Sequence, residues 1–289
     1  LYEFFLSELR DSEVCTEEKK EGVLVLDSAL YPVLLVLSRI YPSPTESVDN
    51  PYKLSSYVNY VDSCTRSSLL QTRQLAAAAI PPLVSEEELE QYVDSILNKI
   101  KEEQMPRNAL HGHLLTLKAF IEKHSRLLCK DSLKDELLHL VDKLMLNNDC
   151  LLIAYTYTCL LNMFGQCHIE EENQIRIKSK LFEDIKDVSN IIWRPMFQAA
   201  VTPLLMQCQI SSHLDLLNHP EFEVRKAALT HLKDNSDNIS EDNTKAVVER
   251  LNAETHPEVL CSLLAACQAT SSVSVDLIPR LMSIFDLKI

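Results

Sequence analysis

Glycine is almost missing from this chain. Only Gly22, Gly112 and Gly165 occur in 289 residues, where average usage would give about 20. The three are isolated from one another, so no phosphate-binding loop or dinucleotide fingerprint can be written with them, because both need clustered glycines for close backbone approach. Tight two-residue hairpins also draw on glycine, which argues against an extensive antiparallel sheet. Hydrophobic residues make up 46% of the chain, enough to fill a packed core, so disorder is not its main state. The expectation is an all-α protein without catalysis of its own.

Helical periodicity runs along most of the sequence. Ser85 and Glu88 are spaced as a capping box, and Leu89, Tyr92, Val93, Ile96, Leu97 and Ile100 then recur at three- and four-residue steps as one apolar stripe. Leu110 to Leu128, Leu133 to Leu146, Leu151 to Met163 and Glu221 to Leu232 read in the same way. Breaks fall at 105–108, 146–149 and 218–220, and loops are expected near 41–52 and 234–242.

Repeats organise these helices. His219-Pro220-Glu221 and His256-Pro257-Glu258 each open an apolar helix, and Glu221 to Ala228 follows the Asp/Glu-x-x-Val-Arg-x-x-Ala habit of HEAT-type second helices. Gln71 to Ala79 is a looser match. Echoes along Arg73, His113, Tyr155, Arg194, Arg225 and Cys261 are spaced by 31 to 42 residues. HEAT and armadillo units run about 40–47 residues, and one helix pair cannot bury its apolar face alone, so neighbours stack. Ala76 to Ala79 and Ala227-Ala228 would let helices approach closely. We read residues 1–289 as a single helical-repeat region, an α-solenoid of HEAT/armadillo-like repeats.

The bulk numbers narrow the setting. The net charge is −14, which opposes nonspecific nucleic-acid binding over the whole surface but leaves room for a local basic face. Nine cysteines form no Cys-x-x-Cys pair. Several of them (Cys129, Cys159, Cys208, Cys261, Cys267) sit in apolar helical runs and read as reduced core thiols of a cytoplasmic protein. Cys150 to Cys167 and Pro195 to Ser212 carry no charge, but their Thr, Asn, Gln and Pro content suits buried helices better than membrane spans. Leu1 to Arg10 contains Glu3 and Glu8 and no basic lead, so it does not read as a signal peptide. A chain opening on Leu is expected to be cut from a longer protein.

No constellation carries chemistry. His111 and His113 stand two apart on a helix, about 200° around it, and cannot share a metal. No nucleophile elbow exists, and Glu86-Glu87-Glu88 and Glu170-Glu171-Glu172 suit solvated helix starts. The segment Lys99 to Lys130 differs from the rest, with seven cations against three acids. Within it Lys118, Lys123 and Arg126 are candidate phosphate contacts, although Lys118, Arg126 and Lys130 do not all share one helical face, so neighbouring helices would have to complete the patch. In Asn108-Ala109-Leu110-His111-Gly112-His113, Asn108 can cap a helix. Gly112 in the early turns costs about 1 kcal/mol against Ala, so a neighbour is expected to approach its backbone.

Two strings carry a family resemblance. Thr72-Arg73-Gln74-Leu75-Ala76-Ala77-Ala78-Ala79, followed by Asn108-x-x-His111-Gly112-x-Leu114-Leu115, resembles the thyroid adenoma-associated protein (THADA) family. Leu30 to Ser38 is similar to that family's preceding helix, and the resemblance extends over about residues 25 to 165. It implies the C-terminal part of a very large helical-repeat protein. That protein would be a non-catalytic scaffold for a tRNA 2′-O-ribose methyltransferase acting on the anticodon loop, as for the yeast relative. The methyl donor, S-adenosylmethionine, would belong to the partner enzyme. The family's Arg-Arg-Ser-Ala-Gly-Leu-Pro signature is absent and is expected upstream. Arg73, Asn108, His111 and Gly112 carry over as structural or contact positions, beside Lys118, Lys123 and Arg126 as tRNA contacts. The rival reading is a protein–protein adaptor that uses its acidic surface and has no nucleic-acid role.

Overall fold

The computed structural model describes residues 1–18, 30–40, 52–128, 131–165, 167–182, 192–207, 213–235, 241–269 and 282–283. Among them every regular element is helical and no strand occurs. The chain divides into two compact units, Leu1–Leu140 and Val141–Ile289.

The first unit holds α1 (Tyr2–Glu18), α2 (Leu30–Leu37), α3 (Val58–Cys64), α4 (Leu70–Ala79), α5 (Leu89–Lys101), α6 (Arg107–Lys123), α7 (Ser125–Leu128) and α8 (Asp131–Leu138). The main packing is between alternate helices. Helix α4 lies against α2 on one side and α6 on the other, while α3 and α5 cover α4 and α6. Alanines make this possible: Ala76, Ala77 and Ala79 of α4 are buried and hold the backbones close. Pro81 and Pro82 have no N–H to continue the α4 ladder, so Pro81–Leu83 tightens into a 3-10 turn.

The second unit opens with a π-helical segment, Asp142–Leu146. It continues with α9 (Leu151–Met163), α10 (Glu171–Phe182), α11 (Trp193–Met206), α12 (His213–Leu217), α13 (Phe222–Asp234), α14 (Glu241–Ala253) and α15 (Pro257–Ala269). Here α9, α11, α13 and α15 stack in succession, each on the next. This is the sequence repeat made visible. The anchors Arg73 and His113 lie on α4 and α6, and Tyr155, Arg194, Arg225 and Cys261 lie on α9, α11, α13 and α15, so the echo marks the stacked helix of each pair.

Over their described residues the long uncharged runs fall mainly on α9 and α11, whose faces are largely buried. Thr156 and Thr158 return their hydroxyls to the carbonyls of Leu152 and Ala154, four residues back on α9. On α11, Gln198 donates to the carbonyl of Leu181 at 2.8 Å. Among the described residues no helix is long and apolar enough to cross a membrane.

Several boundaries differ from expectation. Ser85 bonds the Glu88 side chain at 3.0 Å, but the pair caps nothing, because α5 begins only at Leu89. Asn108 is likewise not a cap: α6 starts one residue earlier, at Arg107, with Pro106 before it, so Asn108 falls inside the first turn and is exposed. The helix read from Leu110 to Leu128 breaks at His124. At the loop expected near 234–242, α13 runs to Asp234 and α14 starts at Glu241, and residues 236–240 lie outside the described residues. Residues 41–51 of the other loop lie outside the described residues. Cys267 is buried and Cys159 partly so, but Cys261 is exposed and no core thiol; Cys129 and Cys208 lie outside the described residues.

Gly112 sits where α6 meets the end of α3. A Cβ there would lie 2.0 Å from the backbone oxygen of Thr65, a distance no pair of real atoms tolerates. In an open helix Gly→Ala would add about 1 kcal/mol. Here Gly112→Ala is expected to lower stability by about 1–3 kcal/mol through overpacking, read as a fall in the urea midpoint.

Candidate functional site

Arg73 projects from the first turn of α4 into the interior and is only 4% exposed. Its Nη1 donates to the carbonyls of Ser67 and Ser68 at 2.6 and 3.1 Å, and its Nε donates to His111 Nδ1 on α6 at 3.2 Å. One guanidinium therefore closes the loop entering its own helix and pins that helix to the next. The planar fork suits this, because its donors diverge at fixed angles.

The second unit repeats the device with other partners. Arg225 of α13 sends Nη1 to the carbonyls of His219 and Pro220, both at 2.8 Å. These are the same positions, six and five residues back, that Arg73 uses. Its Nε and Nη2 reach Glu254 as a two-pronged pair at 2.9 and 3.2 Å. Glu254 is 1% exposed and also accepts from Arg250 and from the backbone N–H groups of Thr255 and His256. Burial works against its charge, but the hydrogen bonds from Arg225, His256, Arg250 and Thr255 outweigh that and hold its carboxyl down at about 2. The Val-Arg-x-x-Ala habit of the sequence is this latch: the arginine ties, and Ala228 lets the helices close.

His111 is 2% exposed. Burial first, and the adjacent Arg73 charge second, push its pKa down to about 4. It is therefore neutral, and Nδ1 accepts, which leaves the proton on Nε2. His113, about 200° further round α6, is buried as well, and burial lowers its pKa while the charge of Asp62 on α3 acts in the opposite direction. The two histidines face different neighbours, as their spacing requires. Among the described residues no group of three His, Cys, Asp or Glu side chains could hold a metal.

Of the residues singled out in the sequence, Arg73, His111 and Gly112 come together in the interior of the first unit. Asn108, Lys123 and Arg126 are exposed, and Lys118 is half-buried. Lys118 pairs with Glu122 at 2.6 Å, and Lys123 donates to the Ser38 carbonyl at 3.3 Å. Sequence reasoning missed two clusters. Asp62 gathers Arg66 at 3.3 Å, Lys99 at 3.8 Å and the Tyr92 hydroxyl at 3.4 Å, joining α3 to α5. Glu254 was one acid among 42, and only its place directly before Thr255-His256-Pro257, at a helix start, could have marked it.

Stacked helix pairs tied by repeated buried arginines define a helical-repeat protein. Residues 1–120 match the family model described as Trm732, C-terminal TPR repeats. Curated relatives agree. The chain is 28% identical over 179 residues to the dog protein named tRNA (32-2′-O)-methyltransferase regulator THADA, which covers 58% of this chain and 9% of that one. It is 27% identical over 210 residues to the mouse protein of that name (65% and 10%). With the fruit-fly protein of that name it shares 31% over 100 residues (30% and 6%). No solved structure matches. The chain is thus similar to the C-terminal part of the THADA family, as Arg73 and His111-Gly112 indicate. It spans about a tenth of the length of the first two relatives. The matched family describes its repeats as TPR, whose 34-residue period also falls within the observed spacing.

Two predictions follow from the latches. Glu254→Ala leaves the Arg225 charge buried and unpaired and should cost about 3–5 kcal/mol, while the double change Arg225→Met, Glu254→Leu should recover much of that loss in chemical denaturation. The depressed pKa of His111 means that the unfolded chain takes up its proton first. Stability is complete above pH 6.5 and falls as pH drops towards 4, by about 2 kcal/mol at pH 5 from this group. His111→Gln should make the fall of the urea midpoint between pH 6.5 and 5 visibly shallower.

Proposed function

We propose that this chain is part of a non-catalytic scaffold that assists a tRNA 2′-O-ribose methyltransferase acting on the anticodon loop. The observation that carries this reading is the similarity to relatives named as regulators of a tRNA (32-2′-O)-methyltransferase, joined to a site whose charged groups serve as helix latches. The scaffold contributes orientation: it holds enzyme and tRNA in reactive register and so replaces a chance encounter by a fixed geometry. S-adenosylmethionine belongs to the enzyme, and the setting is cytoplasmic.

Within this reading the seven residues divide by burial. Arg73, His111 and Gly112 hold the shape of the first unit. Asn108, Lys118, Lys123 and Arg126 contact tRNA, the cations through phosphates. Lys118 would exchange Glu122 for phosphate at little cost, since an exposed i,i+4 pair is worth about 0.3–0.5 kcal/mol.

The test is Lys118→Glu, Lys123→Glu, Arg126→Glu in the intact protein with its methyltransferase. We expect weaker tRNA binding, a log K against log salt slope shallower by about 2–3, and reduced ribose methylation. An unchanged slope with unchanged methylation would remove the tRNA role from this surface.

A further inference from the structure

The three cations of the phosphate strip are held unequally. Lys123 donates to a neutral group, the Ser38 carbonyl, at 3.3 Å. Arg126 stands exposed on α7. Among the described residues Lys118 is the one of the three held by a carboxylate, with its Nζ 2.6 Å from Glu122 Oε1. The two side chains are 33% and 52% exposed, so the pair lies where a polyanion reaches it.

Helix stability does not account for Glu122. It stands in the last turn of α6, where the unpaired carbonyl ends of the helix oppose an acid. The order is also the poorer one, because an acid four residues before a lysine supports a helix better than an acid four residues after it. The side chain is exposed and fills no core. From Gln104 to Lys130 it is the only acid in the sequence, against Arg107, Lys118, Lys123, Arg126 and Lys130. A residue that breaks its local rules with no gain in packing marks function sooner than fold.

We propose that Glu122 is a built-in competitor for the phosphates of tRNA. Its carboxylate takes the place on Lys118 Nζ that a phosphate oxygen needs, so the strip is partly closed until tRNA displaces it. Once displaced, the carboxylate still stands close by and repels the phosphate. The inference rests on the tRNA reading of this strip and supplies its regulation: the substrate is held weakly enough to leave after methylation.

The experiment measures tRNA binding to the intact protein with its methyltransferase over a salt series. It compares the unmodified protein with Glu122→Gln, Lys118→Gln and the double variant. We expect Glu122→Gln to bind tRNA about three- to fivefold tighter, through slower dissociation, with a log K against log salt slope steeper by up to about 1. In the Lys118→Gln background the gain should shrink to under about twofold, because the acid then has no ammonium to withhold. Unchanged or weaker binding by Glu122→Gln, beside a loss in the triple reversal of Lys118, Lys123 and Arg126 to Glu, overturns the competitor role and leaves the tRNA reading standing. An equal gain with and without Lys118 also overturns it, since the acid then acts only through its field. So does tighter binding of the methyltransferase in the absence of tRNA, which makes the strip an enzyme contact. If neither Glu122→Gln nor the triple reversal alters tRNA binding or methylation, the competitor and the tRNA role of this surface fall together.

Discussion

A buried arginine that ties the start of its own helix to the next repeat is the contact on which both units depend. A helix pair has an apolar face to bury, but apolar contact is non-directional and does not fix how far one helix slides along another. The guanidinium supplies the direction. Arg73 and Arg225 each bond the carbonyls six and five residues back, which sets the angle at which the chain enters the helix. Each then turns its Nε to a group from the following repeat. The partner differs, a neutral histidine in one unit and a carboxylate in the other, so the two latches respond to pH in different ranges while sharing one geometry.

Close approach is the second requirement, and it explains where small residues stand. Ala76, Ala77 and Ala79 let α4 lie between α2 and α6, and Gly112 lets α6 touch the Thr65 backbone. Dispersion acts only at short range, so bulk at these positions would open gaps that the rest of the interface could not follow. The scarcity of glycine makes the single interior one more informative: where the sequence tolerates Gly112 inside a helix, the fold needs the space.

Charge is distributed by task. The cations of Lys99 to Arg126 stand in the first unit, and the groove between α11, α13 and α15 of the second carries acids and lysines side by side, with Glu258 holding Lys226 and Asp234 beside Lys233. In a helical-repeat chain each repeat carries its own exposed residues, so exposed charge can change from one stretch to the next without altering the stacked interior. The exposed charges can vary because the latches are sealed away from them.

The sequence by itself determined the all-α class, the stripe of α5, the span of α9, the repeat anchors and the need for close approach at Gly112. These are local or periodic properties, written in spacing and in side-chain size. It left open what the charged residues do. Arg73 and Lys118 look alike in a sequence, and Glu254 resembles any other acid. Only the tertiary structure decided that Arg73 is buried against His111 and Glu254 against Arg225 while Lys118 pairs at the surface with Glu122, because burial depends on which distant helix lies alongside. The caps expected at Ser85 and Asn108 failed for the same reason: a helix starts where packing and backbone geometry allow, and a side chain able to cap does not compel it. The groove between α11, α13 and α15 is likewise a product of stacking, since its walls come from residues some sixty positions apart, from Ala199 to Glu258.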